Sequence, residues 1–88
     1  MDTLVDDVTE RLAQRIRLER DGRGWSLTQL AERSGVSRAT ISKIERGEVS
    51  PTAAILVRLA SAFDLTFAGL LLRVEYNGDR VSRQSAQP

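Results

Sequence analysis

Residues 26–47 read Ser26-Leu27-Thr28-Gln29-Leu30-Ala31-Glu32-Arg33-Ser34-Gly35-Val36-Ser37-Arg38-Ala39-Thr40-Ile41-Ser42-Lys43-Ile44-Glu45-Arg46-Gly47, and their pattern decides the fold. Ser26 followed three residues later by Gln29 is a capping box, in which each side chain satisfies an orphan backbone donor of the other at a helix start. Leu27, Leu30 and Ala31 supply the apolar stripe of that helix, and Gly35 stops it. Ser37 caps a second short helix that runs to Arg46, with Gly47 as its stop. The connection Ser34-Gly35-Val36-Ser37 has the length and the glycine of a helix-turn-helix, with Val36 placed to plug the corner.

The flanks continue in helices. Val5, Val8, Leu12 and Ile16 recur at spacings of three and four, which predicts a helix over 4–21 with Thr3 as N-cap and Gly22 and Gly24 at its end. Ser50-Pro51 opens a further helix, with proline at the first helical position, where its missing N–H has no partner to lose. Leu56, Leu59, Ala60 and Phe63 form that helix's inner face. Thr66 caps a fifth helix carrying Phe67, Leu70 and Leu71. Leu70, Leu71 and Leu72 cannot all face one core, so one of them, or Val57, is expected on the surface and available for a symmetric contact. The expectation is an all-α, compact five-helix domain over 1–74, followed by a flexible tail or linker over 75–88. Asn77-Gly78 would suit a small hairpin between 74–76 and 79–81, but an isolated hairpin is marginal.

Composition excludes most alternatives. The chain has 88 residues, enough for one small domain, with neither cysteine nor histidine. That removes disulfides, thiolate sites, a Cys nucleophile and the commonest general base and zinc ligand. No metal site, cofactor or enzymatic activity is expected. The one lysine, Lys43, lies on an exposed face rather than in an apolar pocket, and no carboxylate pair stands apart. No apolar run approaches the roughly 18 residues that span a bilayer, and the acidic start Asp2…Asp6-Asp7 has the wrong sign for a secretory signal. The expected location is cytoplasmic, with no membrane partner.

Net charge is only +1, but it is unevenly spread. Residues 1–14 sum to −3, residues 15–46 to +4, and the remainder balances. Any surface for a polyanion therefore belongs to the middle segment. On a helical wheel with Arg38 at zero, Ile41 and Ile44 fall near 300° and 240° and define the buried side. Arg38, Ser42, Arg46, Ala39 and Lys43 fall between about 0° and 140°, a face that is cationic, small or hydroxylic and carries no acid. A helix entering the major groove needs such a face: Arg and Lys donate to guanine O6 and N7, and small methyls touch thymine. Glu45 follows Ile41 by four residues and Arg20 follows Ile16 by four, so each borders an apolar stripe and needs a partner. An Arg20–Glu45 ion pair tying the first helix to the third is the economical solution.

Residues 16–47, from Ile16-Arg17-x-x-Arg20 and Trp25 through Ile44-Glu45-Arg46-Gly47, closely resemble the phage lambda repressor/Cro-like helix-turn-helix family, the XRE family of bacterial transcription regulators. Ser50-Pro51-Thr52 and Leu59-Ala60…Phe63-Asp64-Leu65-Thr66 extend the resemblance to about residues 10–72. It implies a sequence-specific regulator, most often a repressor, that reads double-stranded DNA at a pseudo-palindromic operator as a homodimer. Carried over by position, Ser37, Arg38, Ala39 and Lys43 match base-contacting residues, with Thr40 and Ser42 beside them. Ser26 and the Leu27 backbone N–H match a phosphate clamp, and Arg46 matches a backbone-contacting position. The Arg20 and Glu45 positions match a buried ion pair in some relatives. Several phage repressors have Gln where this chain has Arg38, so their operator does not transfer. The segment 79–88 resembles the linker of longer members that continue into a cupin-type sensor, which leaves both a fragment and a stand-alone regulator open. An antitoxin-type module, which binds DNA and a protein partner on the same fold, is the alternative function.

Overall fold

Leu12 and Ile16, Leu30, Ile41 and Ile44, Leu59 and Phe63, and Leu70 all lose their contact with water to one shared interior, and that convergence sets the architecture. In the computed structural model, which describes residues 2–75 and side chains from Asp7 onward, five helices surround this core. They are α1 (Asp2–Gly22), α2 (Leu27–Ser34), α3 (Arg38–Glu45), α4 (Ala53–Ala62) and α5 (Phe67–Glu75). Among the described residues there is no strand. α3 packs against α1 and α2, and α2 packs against α4. The core is aliphatic apart from Phe63, its largest fully buried side chain, against which the half-buried Trp25 stacks at 6.1 Å between ring centres.

Several boundaries differ from the sequence expectation. α1 begins at Asp2, so Thr3 lies inside the helix rather than capping it. α4 is capped by Thr52, whose Oγ1 accepts the Ile55 N–H at 3.2 Å, so Pro51 precedes the helix rather than forming its first residue. A threonine hydroxyl satisfies an orphan N–H directly, which proline cannot do. Thr66 caps α5 as expected, accepting from Gly69 N at 2.9 Å. Val8 is exposed rather than buried, as are Phe67, Leu71 and Leu72; Leu70 and Val74, four residues apart, form the inner face of α5. Val74 and Glu75 are helical, so no hairpin arm starts there. The tail expected beyond them lies outside the described residues.

A charged hub at Glu19 stands outside the sequence expectation. This carboxylate is buried on the inward edge of α1 and accepts from Arg15 at 3.2 Å, Arg23 at 2.8 Å and Arg73 at 3.0 Å. Arg23 also donates to the Phe63 carbonyl at 2.7 Å, so one acidic side chain joins α1, the end of α4 and α5. Burial pushes the Glu19 carboxyl up, but the Arg23 hydrogen bond, the Arg73 charge and the bonds from Arg15 and Arg73 outweigh it and hold the group below its ordinary value of 4.5. A carboxyl depressed by folding stabilises fully above that ordinary value and loses the contribution as pH falls through the folded value. Glu19→Gln should therefore cost about 2 kcal/mol at neutral pH. The gap between wild type and variant should close progressively below about pH 4.5 in thermal denaturation. A gap that stays constant down to pH 2 would show that the Glu19 charge contributes nothing.

Candidate nucleic-acid interface

The turn that presents α3 is built from local backbone chemistry. Ser26 Oγ accepts the Gln29 N–H at 3.0 Å while Gln29 Oε1 accepts the Ser26 N–H at 2.8 Å, the reciprocal cap that the sequence specifies. α2 ends at Gly35, whose φ of 76° is strained for any residue with a Cβ, and a Cβ there would also sit 3.4 Å from Arg58 Nη1. Ser34 Oγ accepts the Val36 N–H at 3.1 Å, and Val36 is buried in the corner. Ser37 Oγ then accepts the Thr40 N–H at 3.1 Å and donates to Thr40 Oγ1 at 2.8 Å. The Ser37 hydroxyl thus both accepts from the Thr40 backbone and donates to its side chain.

α3 turns Ile41, Ile44 and Glu45 inward. Arg38, Ala39 and Lys43 are exposed, and Ser42 and Thr40 are half-buried. Arg38 makes no hydrogen bond or ion pair with the described residues. Beyond the helix, Gly47 at φ 74° lets its own N–H reach the Ile44 carbonyl at 3.0 Å and the Glu48 N–H reach the Lys43 carbonyl at 2.9 Å. This Schellman closure folds the chain back over the end of α3. It returns Glu48 to the cationic face, where its carboxylate accepts from Arg46 Nε at 2.7 Å and Nη2 at 3.3 Å. Arg46 also donates to Ser42 Oγ. The mutual hydrogen bond raises the Arg46 guanidinium and lowers the Glu48 carboxyl from their ordinary values. The helical wheel missed Glu48 because a wheel ends where the helix ends; the glycine stop was the available signal.

Behind this face lies the predicted ion pair. Arg20 Nε donates to Glu45 Oε2 at 2.7 Å and Nη2 to Oε1 at 2.9 Å, a two-bond fork. Nη1 donates to the Trp25 carbonyl at 2.8 Å, so the same guanidinium fixes α3 and the α1–α2 turn. The Glu45 bond is the main reason that Arg20 is held in its charged form. Ser26 and the first N–H groups of α2 lie at the other edge of the helix pair, with Ser26 exposed and Leu27 half-buried. A convex helix face with free cations, small side chains and an adjacent helix N-terminus is suited to bind a polyanionic groove.

Comparison with known proteins agrees with this arrangement. The Helix-turn-helix family profile (HTH_3) matches residues 16–70, and the chain belongs to that family. It is 39% identical over 64 residues to the HTH-type transcriptional regulator SutR of Escherichia coli, a match covering 73% of this chain and 36% of SutR. It is 34% identical over 71 residues to SinR of Bacillus subtilis, covering 76% of this chain and 64% of that protein. Among solved structures, the restriction-modification controller protein C.AhdI of Aeromonas hydrophila superposes with a TM-score of 0.66 at 31% identity, over 70% of this chain and 94% of that one. The clp gene regulator ClgR of Corynebacterium glutamicum gives a TM-score of 0.73 at 27% identity, over 89% and 83% of the two chains. The chain thus spans little more than a third of SutR.

Removing one partner of the Arg20–Glu45 fork leaves the other charge nearly buried. Glu45→Ala should cost about 3 kcal/mol, between the values for wet and fully buried pairs. Arg20→Ala should cost a similar amount, and the double variant less than the sum of the two. Chemical denaturation of the three variants beside wild type measures the coupling, and strictly additive losses would mean that the fork carries no energy.

Proposed function

We propose that this helix-turn-helix chain is a sequence-specific regulator of transcription that inserts α3 into the major groove of duplex DNA. The observation that carries it is the exposed face of α3, where Arg38 projects unpaired beside Ala39 and Lys43. Arg38 and Ala39 stand in the first turn, the end that meets base edges in this docking mode. The Arg38 fork matches O6 and N7 of a guanine, and the Ala39 methyl matches thymine. Lys43 lies one turn further on, within reach of either a base or the opposite strand. Ser37 and Thr40 contribute hydroxyls at the groove entrance, Thr40 with its own O–H free to donate and Ser37 by exchanging the bond that it now gives to Thr40. Arg46 lies roughly 12 Å along the axis from Arg38, where the helix leaves the groove and meets phosphates. Ser26 and the Leu27 N–H supply a second phosphate contact at the N-terminus of α2.

The chain acts as a homodimer on a pseudo-palindrome, with the symmetric contact on the exposed leucines of α5. Leu71 and Val74 line a groove of about 270 Å³ with Val8, Arg11 and Glu75, and the exposed Leu72 and Phe67 lie on the same helix. Apolar exposure of this kind on a small domain favours a partner surface. Such a dimer occupying an operator obstructs transcription, so repression is the expected mode. The work is done where the DNA is, in the cytoplasm; no single described helix is long and apolar enough to cross a membrane.

Footprinting on fragments selected from genomic DNA should show two symmetric protected half-sites, roughly 10 base pairs apart from centre to centre. Against a panel of single-base operator variants, Arg38→Ala should relax preference at one base pair per half-site, by about 1–3 kcal/mol of discrimination. Lower affinity spread evenly across the panel would remove Arg38 from base reading. Failure to enrich any fragment over random sequence would remove the regulator itself.

A further inference from the structure

The cationic face of α3 contains an internal counter-ion. Among the described residues, Glu48 is the one carboxylate that bonds a cation of that face. Its two bonds occupy the Nε and one Nη2 hydrogen of Arg46, while Ser42 takes an Nη1 hydrogen. The pair is half-exposed on both sides, so it is held by local geometry rather than by burial. That geometry is set by the backbone: Gly47 and the Glu48 N–H bond to the Lys43 carbonyl fix where the carboxylate returns. Lys43 lies within the same carboxylate's field, which further lowers the Glu48 carboxyl. Two cations of the face therefore share one acid.

We propose that Glu48 competes with DNA phosphate for Arg46 and thereby lowers affinity for all sequences alike; this rests on the assignment of α3 to the major groove. A phosphate reaching Arg46 has two routes. It displaces Glu48, and the complex pays for breaking a formed ion pair. Or it takes the two guanidinium hydrogens left at the Nη1–Nη2 end, and a carboxylate then stands beside the phosphate while the Arg46–Glu48 unit stays neutral. On either route the contact releases less counter-ion per phosphate than a free arginine would, because the protein supplies its own anion in the unbound state. Base contacts by Arg38 and Ala39 lie at the other end of α3 and are untouched. Glu48 is a positioning residue that sets overall affinity and its salt dependence, not which sequence is preferred.

Fluorescence anisotropy decides this, with two labelled duplexes: one recovered by selection from genomic DNA and one of random sequence. The four proteins are wild type, Glu48→Gln, Arg46→Ala and the double variant, each checked for unchanged helicity. Glu48→Gln should bind both duplexes roughly three- to tenfold tighter at low salt, with the slope of log affinity against log salt steeper by about one. The ratio between the two duplexes should not change. In the Arg46→Ala background, Glu48→Gln should keep only a small part of this gain, the part that comes through Lys43. The proposal is overturned if Glu48→Gln leaves both affinities unchanged. It is also overturned if the whole gain persists without Arg46, which would make it a matter of bulk charge, or if only the selected duplex gains, which would make Glu48 a base-reading residue. If wild type and all variants bind neither duplex, the groove-reading assignment fails and the proposal falls with it. If wild type binds but the expected changes are missing, the proposal alone fails.

Discussion

The Arg20–Glu45 fork is the constraint on which the position of α3 depends. Eight residues of helix have too little internal hydrogen bonding to persist alone, so α3 must be held from behind. Ile41 and Ile44 bury it against α1 and α2 but leave rotation about its own axis poorly fixed, because aliphatic contact is non-directional. The planar guanidinium of Arg20 supplies direction. With two bonds to Glu45 and one to the Trp25 carbonyl, it admits few orientations of α3 relative to α1. With Glu45 inward, helical geometry turns Ala39 and Lys43 to the opposite side, while Arg38, two turns before Glu45 on the same side, is exposed at the free first turn of the helix. An interaction that is costly to desolvate is thus placed where orientation, rather than stability alone, is what the fold needs.

Stability comes from the core and from the turns that let short helices meet in it. The fully buried Ile16, Leu30, Ile41, Ile44, Leu59, Phe63 and Leu70 come from all five helices, so no helix can leave without opening a cavity. Sharp ends make this possible within so few residues. Gly35 and Gly47 supply left-handed turns at the ends of α2 and α3, and at the end of α4 Asp64 takes φ 64° in the same role, with its N–H bonded to Ser61 and the Leu65 N–H to Ala60. Aspartate visits that region more readily than most residues. Glu19 closes the other side, tying α5 to α1 through Arg73.

The helix-turn-helix was legible because its signals are local. The capping box, Gly35, Val36 and Ser37 each act within four residues, and each stands where the sequence puts it. Arg20 and Glu45 were legible at a separation of 25 residues because both border apolar stripes, and a charge at such an edge demands a partner. Glu19 carries the same kind of signal, three residues after Ile16 and four from both Arg15 and Arg23, but its tie to Arg73 spans 54 residues and has no local mark. For α5 the sequence shows that Leu70, Leu71 and Leu72 cannot share one face, which the exposed Leu71 and Leu72 bear out, but the three are equally apolar, and only the packed core selects Leu70 and Val74. Thr52 and Pro51 compete as start signals within two residues, and the cap that accepts an N–H prevails.

A net charge of +1 is a poor guide to what this chain can bind, because its arginines are divided between two tasks. Arg20 is matched by Glu45, while Arg15, Arg23 and Arg73 share the single carboxylate of Glu19, so that cluster keeps a net positive charge. Arg33 lies over the Trp25 ring at 4.3 Å. Arg38 and Lys43 on α3 make no ion pair among the described residues, and neither do Arg11 and Arg17 on α1 or Arg58 on α4. On the proposed reading, discrimination rests on base edges in the first turn of α3, and the Arg20–Glu45 fork holds that helix in place. The two buried carboxylates thus differ in what they do: Glu45 matches one cation and orients α3, whereas Glu19 ties three arginines to the α1 and α5 side without neutralising them all.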